Sequence, residues 1–404
     1  MKTTLVSFLG KNSGDLQTGY RTATYRFPDG HDRVTPFFGL ALEKELRPDF
    51  MVILGTAGSM WDVLIEHLAD DAEAEEARIE LMEAVRVATV DAALLERLQP
   101  VVARQLGCPV ALRLIPYGRD DEEQAGILRA IAEAVPPGRV HIDLTHGFRH
   151  LAALGLLSAF FLERMARLDV KGLYYGALDM TQGGITPVLR LNGLLAIQRW
   201  IDALDRFDQN GDYGVFADLL LADGIAQDKV NCLKKAAFFE RTFNLRDAAR
   251  QLGTFLATMD EDLPGTGRLF QQSLSERLAW ARGKPLHQQQ RHLAYVYLNR
   301  RDFVRAAVLA WEAIITLECT RHDLDFGDYA EDGDRKQAEA ELKSRLRTEG
   351  TNWKEAPQRR IKDLRNALAH GSPPASWAGD LRQALAAPAK LYEMLNRDMK
   401  AALD

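Results

Sequence analysis

The sequence predicts an α/β domain followed by an all-α domain. Short apolar runs alternate with helix-length amphipathic stretches through the first half of the chain, the pattern of a mostly parallel sheet with helices on both faces. Beyond Leu195 the alternation stops and only helical periodicity remains. The 404 residues also exceed what one hydrophobic core usually organises. The expected domains are therefore 1–195 and 196–404.

Strands are expected at 5–9, ending in Gly10, and at 50–54, ending in Gly55. Further strands are expected at 111–115, 140–144 and 172–176. After Gly55-Thr56-Ala57-Gly58-Ser59, residues 60–69 have helical spacing, with Trp61, Leu64, Ile65 and Leu68 able to share a face. Helices are also expected at 121–134 and 149–166. In the second half, polar or glycine-containing breaks occur at Asn210-Gly211, Asp260-Glu261-Asp262, Gly283-Lys284-Pro285 and Gly371-Ser372-Pro373-Pro374. Val304, Val308, Trp311 and Ile315 trace one expected buried stripe, and Leu391, Met394 and Leu395 another. The charged segment 321–360, with Asp323, Asp325, Asp328 and Asp334, reads as a solvated insertion. It lacks the spaced ligands and closing glutamate of a calcium loop.

The chain carries 51 Lys plus Arg against 57 Asp plus Glu, for a net charge of -6. That balance argues against a protein that coats nucleic acid over its whole surface, while leaving room for a small basic cleft. The three cysteines, Cys108, Cys232 and Cys319, are too widely spaced for a disulfide framework or a zinc pattern. No metal site is expected. The first residues make no convincing signal peptide and no segment is apolar enough to span a bilayer. The expected location is the cytoplasm.

Near the far end, Arg365, Asn366 and His370 fall within one helical stretch. Asn366 and His370 are four apart and share a side, while Arg365 is rotated away but long. Histidine exchanges protons near neutral pH and arginine offers a fork of donors for phosphate oxygens. This is the minimum equipment for cleaving RNA without a metal, with the substrate's 2′-hydroxyl as nucleophile. Arg282 and His287 repeat the spacing, but Gly283 and Pro285 interrupt that stretch. Around the later match, Ile361, Leu364 and Leu368 supply an apolar stripe, and Arg359, Arg360 and Lys362 add positive charge. Gly371 then ends the helix, so His370 is either catalytic or a C-terminal cap. One imidazole cannot conveniently make every proton transfer; a two-fold dimer would build a shared cleft from two copies.

Asp143-Leu144-Thr145-His146-Gly147 follows a short strand and precedes a helix. Backbone donors there suit an anion and Gly147 permits close approach. Gly10-Lys11-Asn12-Ser13-Gly14 and Gly55 to Ser59 are comparable turns, so Gly10, Lys11, Asn12, Thr56, Gly58, Ser59, Thr145, His146 and Gly147 are the expected ligand contacts. Asp143 and His150 read as loop-ordering and packing groups, and Tyr174 as sheet packing. No G-x-G-x-x-G fingerprint supports an ordinary dinucleotide cofactor.

With these two motifs, the chain resembles the CRISPR-associated Csx proteins that carry a D-x-T-H-G motif. The resemblance implies a Rossmann-like α/β CARF sensor domain followed by an all-α HEPN ribonuclease domain. It implies cyclic oligoadenylate, with cyclic tetra-adenylate preferred, as an allosteric activator made by a type III CRISPR complex and bound across a two-fold axis. It further implies a homodimer or higher even-numbered oligomer that cuts single-stranded RNA, with Arg365 and His370 as the catalytic pair and Asn366 beside them. Two other readings remain: a regulator that binds RNA or protein without cutting, and a ring nuclease using Thr145 and His146 to open the activator.

Overall fold

The structure is a computed structural model that describes every residue except 12–21, 69–71, 166–167, 328–329, 331 and 372–378. Asp328 and the turn residues Ser372, Pro373 and Pro374 therefore lie outside the described residues. The chain divides into two compact units, Met1–Gln198 and Arg199–Asp404. The division falls within one helix, Asn192–Asn210.

The first unit is built on one eight-stranded sheet of order β3-β2-β8-β7-β6-β1-β4-β5. Its strands are β1 (Thr3–Leu9), β2 (Ala23–Arg26), β3 (Asp32–Thr35), β4 (Phe50–Gly55), β5 (Val110–Leu114), β6 (Arg139–Asp143), β7 (Asp169–Gly176) and β8 (Ile185–Arg190). The strands expected from sequence form the parallel run β5-β4-β1-β6-β7. In central β1, Leu5 and Leu9 enter the core on one sheet face while Val6 and Phe8 enter the core on the other. A continuous apolar run is what a strand covered on both faces requires. Thr4 and Ser7 are buried polar exceptions, and the register sets Ser7 opposite Asp143 of β6.

The sequence reading missed β2, β3 and β8. The first two are four-residue strands of mixed polarity on either side of Phe27-Pro28-Asp29-Gly30, joined across their ends by a bidentate Arg26 to Asp32 pair at 2.8 Å. β8 follows Gly183-Gly184 and contains Pro187, which a strand tolerates poorly away from a free N–H position. Helix Asp121–Ala134 occurs as expected, and the others begin or end within a few residues of expectation, as Trp61–Leu68 and Arg149–Arg164.

The second unit is all helical among its described residues. Helix Phe303–Arg321 runs through its core, packed by Leu286–Asn299, Asp334–Thr348, Pro357–His370 and Pro388–Leu403. Its expected stripe was too narrow: Val304 is exposed, while Ala306, Leu309, Ala310 and Ile314 join Trp311 and Ile315 in the core. A helix surrounded by others is apolar on most sides, so one-face periodicity misplaces its boundary residues. The expected insertion at 321–360 is likewise corrected. Ala338, Leu342 and Leu346, one turn apart along Asp334–Thr348, are buried in the main core; their charged neighbours hide that seam in the sequence.

Gly155 of helix Arg149–Arg164 lies against the sheet, where an added Cβ would stand 2.6 Å from Leu144 Cδ2 and 2.9 Å from Phe8 Cε2. Gly155→Leu is expected to destabilise the first unit by about 1–3 kcal/mol through overpacking. A thermal scan should show its unfolding midpoint lowered by several degrees.

Candidate ligand loop and candidate nuclease helix

Among the parallel strands, β4 and β5 lie on one side of β1, and β6 and β7, which follow them in the chain, lie on the other. The carboxyl ends of β1 and β6 therefore flank a topological switch point, where open α/β sheets bind ligands. Gly10 follows β1, and Leu144-Thr145-His146-Gly147 follows β6. The two turns meet closely: a Cβ on Gly10 would lie 3.0 Å from the Gly147 backbone nitrogen and 3.4 Å from His146 Cβ. Gly147 itself has φ +107°, a conformation that favours glycine.

Asp143 holds this loop. It is fully buried, accepts from Ser7 Oγ at 2.5 Å and accepts from the Thr145 backbone N–H at 2.8 Å. Burial pushes its carboxyl up to about 6, against the opposing effect of those hydrogen bonds. Thr145 Oγ1 accepts from Gly176 N–H at 2.8 Å, which ties the loop to the end of β7. His146 Nε2 accepts from the Phe38 N–H at 3.0 Å, at the start of helix Phe38–Leu46. Nε2 therefore carries no proton and the neutral ring carries its hydrogen on Nδ1. Burial lowers His146 to about 4, and the positive end of the helix opposes protonation in the same sense.

Helix Arg149–Arg164 begins directly after the loop, and its N-cap residue Phe148 makes no side-chain capping bond. Its leading N–H groups suit an anion. An open cavity of about 440 Å³ adjoins them, lined among others by Thr145, Gly147, Phe148, Arg149, Tyr175 and Leu194.

The remaining expected contacts have different placements. Lys11 is exposed, and Asn12 lies outside the described residues. Thr56 and Ser59 are buried and pin their own turn: Ser59 Oγ donates to Leu9 O at 2.8 Å and accepts from Thr56 N–H at 2.9 Å. Their hydroxyls tie this turn to the end of β1. Gly58 is buried beside Tyr117 and shares that bracing turn. His150 Nε2 bonds to Tyr117 O at 2.7 Å and its ring stacks on Phe148, while Tyr174 is buried against His141. Sequence reasoning missed Ser7 and the Phe38 N–H. Ser7 had a signal, a hydroxyl inside an apolar central strand; the Phe38 backbone group had none.

In the second unit, helix Pro357–His370 starts on proline and ends at Gly371 with φ +64°. Ile361, Leu364 and Ala367 bury its inner face. The cations expected to charge its surroundings are neutralised: Arg360 makes a bidentate pair with buried Asp398 at 2.9 and 2.7 Å, Lys362 pairs with Glu339 at 2.6 Å, and Arg359 with Asp363 at 3.1 Å. Arg365 and Asn366 are half-buried and His370 is exposed. Among the described residues none of these three side chains makes a hydrogen bond or ion pair, and Arg365 Nε is closed off from solvent without a partner. Asn366 and His370 share a face, with Arg365 turned roughly 140° from His370 about the axis. The competing Arg282 and His287 match is broken as expected: Arg282 lies in a loop bonded to Leu256 O, and His287 begins a separate helix.

A sensor-like α/β unit with a built switch-point loop, followed by a helical unit, is the class of protein this chain represents. Residues 4–179 match the family described as the CARF domain of CRISPR system endoribonuclease Csx1. CRISPR-associated protein MJ1674 of Methanocaldococcus jannaschii is 28% identical over 243 residues, covering 54% of this chain and 38% of that protein. The aligned part thus spans well under half of that relative's length. The N-terminal unit is therefore similar to the CARF domain of that family, and the chain is similar to a CRISPR-associated protein. No helix among its described residues is long and apolar enough to cross a membrane.

Because the folded-state pKa of Asp143 is raised, the folded protein holds that proton more tightly than the unfolded chain. Its contribution to stability is present below the ordinary carboxylate pKa and is lost as pH rises through about 6. Asp143→Asn lacks this dependence. The stability gap between the protein and this variant, followed by thermal unfolding of the first unit, should be widest near pH 4 and narrow by pH 7. A gap that widens with pH would contradict the assignment.

Proposed function

We propose that this protein is a cyclic oligoadenylate-activated, metal-independent endoribonuclease that cleaves single-stranded RNA in type III CRISPR defence. The reading is supported by the CARF match and by one observation above all. In a helix whose other cations are paired, Arg365, Asn366 and His370 have no hydrogen-bond or ion-pair partner among the described residues. Side chains kept out of internal pairs are available to a substrate.

In this proposal the helical unit is a HEPN domain, and a homodimer or higher even-numbered oligomer brings two copies of the helix around one scissile phosphate. Arg365 binds a nonbridging oxygen and stabilises charge that develops at phosphorus. His370 serves as general base toward the 2′-hydroxyl or general acid toward the departing 5′-oxygen. Asn366 orients the phosphate or the imidazole. The products are a 2′,3′-cyclic phosphate and a 5′-hydroxyl. Cyclic tetra-adenylate is the proposed activator, with phosphates at the N–H groups after Gly147 and polar contacts from Thr145 and His146. It activates by binding the competent arrangement better than the resting one.

The test incubates the purified protein in EDTA with labelled single-stranded RNA and cyclic adenylates of defined ring size. Activator-dependent cutting is expected, reduced roughly 10²–10⁴-fold by His370→Ala and about 10²–10³-fold by Arg365→Ala. Tight activator binding without cutting of any RNA would replace this reading with a regulator that binds and does not cleave.

A further inference from the structure

A second open cavity, of about 380 Å³, lies within the helical unit. Helix Leu286–Asn299 lines it with Gln288, Arg291, His292 and Tyr295, whose spacing of three and four residues puts them on one face. Lys284, just before that helix, and Lys400 of helix Pro388–Leu403 also line it. Lys284, Gln288, His292 and Lys400 are exposed, and the Arg291 side chain keeps 43% of its surface, so their polar ends are open to a solute.

The chain carries a net charge of -6, yet this wall sets three cationic side chains, Lys284, Arg291 and Lys400, against the single carboxylate side chain of Asp404. Other cations of the helical unit are paired internally, as Arg277 is with Asp208 and Lys362 with Glu339. The side chains of Lys284 and Lys400 make no hydrogen bond or ion pair among the described residues. Two histidines of the same helix register the excess charge. Burial, and then Lys284, lowers the pKa of His292; burial, and then Arg321 and Arg291, lowers that of His287.

Asp404 marks where an anion sits. Its Oδ1 accepts from Arg291 Nη2 at 2.5 Å and from the Tyr295 hydroxyl at 3.1 Å. An ion pair this exposed is weak, and a phosphodiester offers the guanidinium fork two free oxygens in its place. The half-buried Tyr295 adds an aromatic surface beside the cations, the combination that holds single-stranded nucleic acid without reading its sequence. We propose that this cavity is an auxiliary RNA-binding site that grips a backbone phosphate of single-stranded RNA through Lys284, Arg291 and Lys400, with Asp404 as the internal anion that the phosphate replaces. Its biological meaning rests on the ribonuclease reading. The site is separate from the candidate cleavage residues: Asp398, near Lys400 on the same helix, pairs with Arg360, and Arg360 lies roughly 15 Å from His370 along the motif helix.

Fluorescence anisotropy with a labelled single-stranded oligouridylate and the full chain, in a His370→Ala background, reads the site without catalysis. Lys284→Ala combined with Lys400→Ala is expected to weaken binding at least tenfold and to flatten the slope of log affinity against log salt by about 1 to 1.5. Asp404→Asn, which keeps the shape and removes the competing charge, should tighten binding severalfold. Both lysines are exposed, so an unchanged melting profile in the double variant separates lost recognition from lost folding. Unchanged affinity and salt slope in the folded double variant, or weaker binding by Asp404→Asn, would overturn the proposal. Duplex DNA or heparin binding as tightly as the oligouridylate would overturn it too, by marking a general polyanion surface. RNA binding that depends on the two lysines, with no cleavage under any condition, would leave the site standing and sink the nuclease reading; activated cleavage with a KM indifferent to both lysines would do the reverse.

Discussion

The buried carboxylate of Asp143 is the constraint on which the sensor unit depends. A carboxylate removed from water is costly unless hydrogen bonds replace its hydration, and no cation among the described residues pairs with this one. It is held by one hydroxyl from the neighbouring central strand and one backbone N–H from its own loop. Both come from the carboxyl end of the sheet, and satisfying them fixes where the loop begins. Thr145 then bonds to the end of β7, and His146 to the start of helix Phe38–Leu46. One loop is thereby anchored to the sheet at two strands and to a helix on its face. Gly147 can expose its backbone without wandering.

The second unit uses a different device to similar effect. Its motif helix is held by Arg360 to Asp398 on one neighbouring helix and by Lys362 to Glu339 on another. Half-buried pairs of this kind set rotation and register more dependably than they add stability. The result is a helix whose orientation is fixed by charges that are internally neutralised, while Arg365, Asn366 and His370 have no hydrogen-bond or ion-pair partner among the described residues. Local positive charge is therefore smaller than a count of its arginines and lysines suggests. Substrate attraction by this helix would rest on Arg365 far more than on its neighbours.

Periodicity was enough to find the parallel strands because each carries buried apolar residues in a short run set between helix-length stretches. It could not find β2 and β3, whose four residues each mix polar and apolar side chains and gain their place from pairing in the sheet, or β8, whose proline argues against a strand. The helix Asp334–Thr348 was misread for a related reason: three buried residues among charges look like a solvated linker until a partner surface is known. At the ligand loop, residue identity showed that Thr145, His146 and Gly147 belonged together. It could not show which strand end each hydroxyl ties down: Thr145 bonds to Gly176 N–H, while Ser59 bonds to Leu9 O. The tautomer of His146 was equally out of reach, being set by a backbone N–H more than a hundred residues away.

Calorimetric titration of the full-length protein with cyclic tetra-adenylate tests the central claim most directly, since it reads the loop without any catalytic step. The account predicts tight binding at one ring per two chains, strongly weakened by His146→Ala under conditions where that variant remains folded. Failure of every cyclic oligoadenylate to bind, or binding undiminished in the folded variant, would contradict a sensor built on the Asp143 loop.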